Sequence, residues 1–171
     1  MTDEVGVNRC LEYINIYLTH NDNSVKNLRR FLDGWHAYSK GGSLLTRGGN
    51  VRLLNNPDCS KPIVRKCLED MDFISVDARN VLNGKAEHRL IVEHAIPIKV
   101  IRKKLKTMSS PTLLEIQECL KKHYRIGLLT KEEDNKINAR GLNSSMPKGW
   151  NGQEPFARYI DTGIVASTRN V

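Results

Sequence analysis

The chain has 171 residues, of which 39% are apolar and 27% are charged, with both signs spread along its length. That length suits one domain, or one domain with a helical appendage, and that composition excludes a disordered chain. No apolar run approaches the roughly 20 residues that span a bilayer, and the opening MTDEVGVNRC has neither the basic nor the apolar region of a signal peptide. A cytoplasmic protein with no membrane partner is expected.

Twenty-seven Lys and Arg against nineteen Asp and Glu leave a net charge of +8. Such a balance favours an anionic partner, nucleic acid foremost. The densest cluster is KVIRKKLK, Lys99 to Lys106, and KKHYR, Lys121 to Arg125, follows. The four cysteines, Cys10, Cys59, Cys67 and Cys119, show no C-x-x-C spacing. That argues against a zinc ribbon or a disulfide framework and for small core residues.

In chain order, VNRCLEYINIYLTH places Val7, Leu11, Ile14 and Leu18 at helical spacing. Asn21 to Asn23 form a break. Ser24 is placed to cap a second helix, VKNLRRFLDGWHAYSK, which carries Val25, Leu28, Phe31, Leu32 and Trp35 on one side and ends at Gly41-Gly42. GSLLTRGGNVRLLNNPDC is punctuated by Gly48-Gly49 and Asn55-Asn56-Pro57, which predicts short strands or loops. SKPIVRKCLEDM predicts a short helix with Ser60 as its cap and Pro62 in its first turn. FISVDARNVLNGK predicts a further turn or two of helix, stopped at Asn83-Gly84.

HRLIVEH predicts a strand, because its Leu-Ile-Val centre is too short for a free-standing helix. Pro97 opens a helix with Ile98, Ile101 and Leu105 on one face. The next helix is predicted to be capped by Ser109 or Ser110, with Pro111 in its first turn and Leu113, Ile116 and Leu120 in line. YRIGLLT predicts a second strand. Thr130 and Glu133 form a capping box for the helix KEEDNKINARGL, and Gly141 stops it. The tail from Ser144 is rich in Gly, Pro, Ser and Asn, with aromatics beside cations at Trp150 and at Phe156-Ala157-Arg158-Tyr159.

The predicted fold class is α+β and mostly helical, with a small two-stranded antiparallel core. The expected division has three parts. Residues 1–84 form an N-terminal helical region for target recognition or dimerisation. Residues 85–142 form the core, with residues 97–123 as a helical insertion, and residues 143–171 are a tail packing on it.

Residues 88–142 hold the candidate chemistry. One strand ends in Glu93-His94; a second ends at Thr130 and runs straight into a helix carrying Asp134, Asn135 and Asn138. If the strands pair antiparallel and the helix packs across them, Asp134 and Asn138, four apart, share the face beside the first strand's end. Glu93, Asp134 and Asn138 then offer oxygen ligands around one point, which suits a single hard divalent ion, Mg²⁺ or Mn²⁺. Histidine is the side chain that ordinarily gains and loses its proton near neutral pH, so His94 beside that point is fitted to take a proton from water.

VEHAIP, Val92 to Pro97, and LLTKEEDNKIN, Leu128 to Asn138, resemble the HNH family of nucleases, also called ββα-metal or His-Me finger enzymes. The first resembles the family's acid-His-x-x-Pro pattern at the end of its first strand. The second resembles its second strand and the helix behind it. The resemblance implies a ββα fold and metal-dependent hydrolysis of a phosphodiester, in DNA more than RNA. It implies His94 as general base and Glu93, Asp134 and Asn138 as metal ligands. Three features depart from the family. A largely helical stretch separates the strands, Asp and Asn stand where many members have His, and the middle asparagine has only Asn135 as a candidate.

Lys99, Arg102, Lys103 and Lys106 follow His94 closely and are expected to contact nucleic acid, although such a run is most often a solvated helix face. Arg158 is expected to hold a phosphate and Tyr159 could stack a base, with a tail that folds back onto the core as an equal alternative. His88, six residues before His94, is expected on the same side of the strand, whereas His36 and His123 show no partner spacing. Plainer explanations stand beside these. A histidine in such a short pattern is more commonly structural, and a first-turn acid such as Asp134 is favoured by the helix dipole whatever its function. That argument is stronger for Glu132 and Glu133, which are left out of the expected site. The competing functions are a non-enzymatic helical nucleic-acid-binding protein and a protein–protein inhibitor.

Overall fold

The computed structural model describes residues 3–40 and 62–168. The predictions for residues 41–61, including the Ser60 cap and the environment of Cys59, lie outside the described residues. In chain order the elements are α1 (Glu4–Thr19), α2 (Val25–Ser39), α3 (Pro62–Glu69), β1 (Phe73–Ser75), α4 (Val76–Leu82), β2 (Leu90–His94), α5 (Ile98–Lys106), α6 (Leu113–His123), β3 (Ile126–Thr130), α7 (Lys131–Ala139), α8 (Ala157–Thr162) and β4 (Ala166–Thr168). No helix among the described residues is long and apolar enough to cross a membrane.

The described chain falls into two compact units, residues 3–40 with 98–124 and residues 62–97 with 125–168. This differs from the division expected at residue 84. Residues 62–84 join the sheet, and most of the expected insertion joins the N-terminal helices. The reason is apolar matching: α5 turns Ile98, Ile101 and Leu105 inward, α6 turns Ile116, Cys119 and Leu120 inward, and they pack on α2 and α1 respectively.

In the helical unit, Asp3 caps α1 by accepting from the Gly6 amide, and Ser24 caps α2 by accepting from the Asn27 amide. Val7, Cys10, Leu11 and Ile14 of α1 meet Leu28, Leu32 and Trp35 of α2 as one buried face. The Tyr124 hydroxyl donates to Asp33 at 2.6 Å, so that buried acid is hydrogen-bonded. Burial raises the thiol pKa of Cys10 and Cys119, which behave as the small core residues expected. The cap of α6 is Thr112, not Ser109 or Ser110. Thr112 and Glu115 bond each other's backbone amides reciprocally, which satisfies two orphan donors where a lone serine would satisfy one.

The second unit is built on a four-stranded mixed sheet in the order β2-β3-β1-β4. β2 pairs antiparallel with β3, β1 parallel with β3, and β1 antiparallel with β4. The α+β class is as expected, and the two predicted strands pair antiparallel as expected. The sheet is wider than predicted. Phe73-Ile74-Ser75, taken from the sequence as helical, forms β1, and residues of the tail form β4 and α8.

Register fixes the two faces of the sheet. Ile91 lies opposite Leu129 and Glu93 opposite Gly127, and Phe73 is also the partner of Gly127. These residues therefore share one face, because directly paired residues point the same way. Phe73 and Leu129 join Ile137 of α7, Leu142, Tyr159 of α8 and Ile164 in one buried cluster, with Ile91 packed against it. Leu90, Val92 and His94 point to the other face with Leu128 and Ile126.

Gly127 has no side chain because the Phe73 ring occupies that space. A β-carbon there would lie 2.3 Å from the Phe73 carbonyl oxygen and 2.4 Å from its ring. Phe73 is fully buried and cannot move aside. Gly127→Ala is therefore expected to destabilise the sheet unit by about 1–3 kcal/mol through overpacking, measured as a fall in the urea midpoint with unchanged slope.

Candidate functional site

The end of β2 is where the sequence places chemistry, and it is held from the tail. Arg158, in the first turn of α8, is fully buried and makes four hydrogen bonds. Its Nε donates to the Ala95 carbonyl at 3.0 Å and its Nη1 to the Leu142 carbonyl at 2.8 Å. Its Nη2 donates to Glu93 Oε1 at 2.9 Å and also to the His94 carbonyl. One guanidinium thus binds three consecutive residues at the strand exit and the chain just after α7. Arg158 was expected on the surface as a phosphate contact, and this is corrected: a group with no solvent exposure and this set of partners is a strut within the fold.

Glu93 and His94 lie close in sequence but face opposite sides of the sheet. Glu93 faces α7 and α8, with 23% of its side chain exposed, and Arg158 engages Oε1, leaving Oε2 outside that bond. His94 is only 4% exposed. A reactant can touch both side chains only around the end of the strand.

The helix α7 starts directly after β3, and Thr130 caps it through the predicted box with Glu133. Gly141 follows it with φ of +70°, the left-handed conformation that glycine adopts readily. The acid that α7 turns toward the sheet is Glu133, one position before Asp134. Glu133 is buried and its Oε2 accepts from the Ser75 hydroxyl at 2.6 Å and the Thr130 amide at 2.8 Å. Asp134 and Asn138 sit farther round the helix. Asp134 Oδ2 pairs with the Lys131 ammonium and accepts from Asn138 Nδ2 at 3.2 Å, while Asn138 and Asn135 are exposed.

Tyr159, next to Arg158, packs into the core of the sheet unit. Of the two readings open for it, stacking a base or folding back onto the core, the second holds: it is 1% exposed, with its ring 5.3 Å from that of Phe73. Its hydroxyl is buried without a hydrogen-bond partner among the described residues. The Arg158 guanidinium carbon lies 5.8 Å from the centre of the Tyr159 ring. Burial first, and then the Glu93 carboxylate, push its pKa well above that of an ordinary tyrosine, so it stays protonated. The useful sequence signal for Glu133 and Tyr159 was the capping box and the adjacent cation, both of which have commoner explanations.

The remaining predicted residues divide by exposure. Lys99 and Lys103 are exposed on α5. Arg102 donates to Asn23, and Lys106 donates to Asn21 and Asn23 at 2.8 and 3.0 Å. His88 precedes β2 instead of lying within it, and its Nδ1 is 3.4 Å from Glu132 Oε1, so it pairs with the first turn of α7.

No group of three or more His, Cys, Asp or Glu side chains placed to hold a metal occurs among the described residues. The donors do not fit a closed cage. Glu93 and Asp134 each keep one carboxylate oxygen outside their ion pairs, and carboxylate oxygen is the donor type that Mg²⁺ takes, usually one or two per ion with water retained. Comparison with known proteins finds no matching family model, no similar curated protein and no similar solved structure.

Arg158→Met is expected to destabilise the unit by about 3–5 kcal/mol, because it leaves Glu93 and three carbonyls without their donor. Adding Glu93→Gln to that variant should recover part of the loss. A urea-denaturation double-mutant cycle that shows the two substitutions to be additive would contradict direct coupling.

Proposed function

We propose that the chain is a divalent-metal-dependent endonuclease of the HNH type, hydrolysing phosphodiester bonds in DNA more readily than in RNA. The observation that carries this reading is the order and packing at residues 90–139. An antiparallel pair of strands runs directly into a capped helix that packs on both, and the acid–histidine pair stands at the end of the first strand. The quoted motifs imply a β-β-α core, and this pairing supports that reading, with two helices between the strands and a wider sheet around them.

In this reading His94 takes the proton of the attacking water on a ring nitrogen. Glu93 and Asp134 would offer carboxylate oxygens to a divalent ion and Asn138 a neutral one. The divalent ion, when bound, supplies Lewis-acid stabilisation of the charge that grows on the phosphoryl group. Arg158 is a positioning residue: it fixes the Glu93 carboxylate and the backbone of His94 and Ala95, so the acid does not have to be ordered during the reaction. The exposed cations of α5, Lys99 and Lys103, would neutralise backbone phosphates.

A second reading has its own observation. The Glu93 carboxylate already carries a cationic partner in Arg158, which satisfies a structural role without any metal. On that reading the chain binds nucleic acid through its basic helices and cuts nothing.

Supercoiled plasmid separates the two. The nuclease reading predicts nicking with Mg²⁺ or Mn²⁺ that EDTA abolishes and that falls about 100-fold or more in His94→Ala, with DNA binding retained. Plasmid that is bound but intact with every metal would move the assignment to the binding protein.

A further inference from the structure

Two cations of the helical unit are held by neutral groups. Arg102 and Lys106 lie one turn apart on α5, and their partners are the side-chain oxygens of Asn21 and Asn23 in the α1–α2 loop. Both reach Asn23 Oδ1, so the two charges converge on one point. The Arg102 Nε is buried and has no acceptor among the described residues. Beneath Lys106, 5.9 Å from its ammonium, is the ring of Tyr17, whose buried hydroxyl also has no partner there. Asn21 adopts a φ of +50°, an uncommon conformation for a residue with a side chain.

The acid of this loop is Asp22, and its oxygens are committed elsewhere. They accept from the Ser24 amide at 2.8 Å and from Asn27 Nδ2 at 3.2 Å. Those bonds, the Ser24 amide first, hold its pKa below the usual carboxylate value. Asp22 therefore offsets part of the charge without taking either cation as a bonded partner.

We propose that Arg102, Lys106, Asn21 and Asn23 form a binding site for one backbone phosphodiester of duplex DNA. The site rests on the nucleic-acid part of the function proposed above and not on its cleavage chemistry. Nε and Nη2 share one edge of a guanidinium and form the fork that meets two oxygens of a phosphate at once. In Arg102 the Nη2 half of that fork rests on an amide oxygen and the Nε half has no acceptor. A phosphate replaces the neutral acceptor with a charged one, and charge-assisted bonds are about twice as strong as neutral ones. A half-turn of the Asn21 and Asn23 amides presents their NH₂ groups, so all four side chains then donate.

The test is fluorescence-anisotropy titration of a labelled DNA duplex by the full chain over a range of salt. Arg102→Gln/Lys106→Gln should weaken binding about tenfold and flatten the slope of log affinity against log salt by about one, the loss of one phosphate contact. Asn23→Asp keeps both cations and gives them an ionic partner within the fold. It should weaken DNA binding comparably without lowering the urea midpoint, which a purely structural loop would not do. Unchanged affinity and slope in both variants, with a wild type that binds, would overturn this site and leave the nuclease reading standing. A wild type that binds no duplex overturns both.

Discussion

The buried guanidinium of Arg158 is the contact on which the sheet unit depends. Its fixed fork of donors reaches three carbonyl oxygens and one carboxylate, supplied by the end of β2 and by the chain after α7. A buried charge is tolerated when it is paired and hydrogen-bonded, and Arg158 has an ionic partner in Glu93 and donates four hydrogen bonds from its five N–H groups. The consequence is topological. The strand exit at Glu93-His94-Ala95, the end of α7 and the helix α8 are organised by a single side chain, so the tail is as much a part of the unit as the strands.

That contact works because the sheet face beneath it is shaped to receive α7 and α8. Phe73 lies over Gly127, and its ring contacts Tyr159 and Phe156. Glu133 reaches across to the Ser75 hydroxyl, which itself caps α4 through the Ala78 amide. The face therefore carries two carboxylates, one bonded to a cation and one to hydroxyls and an amide. Different environments divide such pairs into different roles. Here Glu133 is committed to structure through its cap bonds, and Glu93, partly exposed, is the one with an oxygen left for a ligand.

The helices were legible because their periodicity and caps are local. Ser24, Thr130 and Gly141 act where the sequence puts them. β2 and β3 were legible because their apolar runs are too short for helices. β1 was not: its three residues precede a capped helix, and only pairing with β3 and β4 makes Phe73-Ile74-Ser75 a strand. The cap of α6 was misplaced by two or three residues because serines and a proline crowd the same stretch. At the candidate site, the position of Glu93-His94 at a strand end and the step from a strand into the helix capped by Thr130 were read from motif and pattern. The role of Arg158 was not, because a cation between aromatics in a Gly-rich tail looks like surface until its four partners are known. Asp134 was chosen over Glu133 for the same reason: which side of a helix meets a sheet is decided by Ile137 and Leu142 packing on Phe73 and Leu129, and periodicity over nine residues does not reveal it.

The central claim is that a divalent ion binds at the end of β2, against the face where α7 lies. Titrating Mn²⁺ into ¹⁵N-labelled protein and following amide signals tests it most directly, since the paramagnetic ion broadens nearby resonances whether or not any substrate is cut. The account predicts selective broadening of residues 93–95 and 134–138 at low metal ratios, abolished in Glu93→Gln. Uniform weak broadening, or a focus elsewhere on the chain, would contradict it.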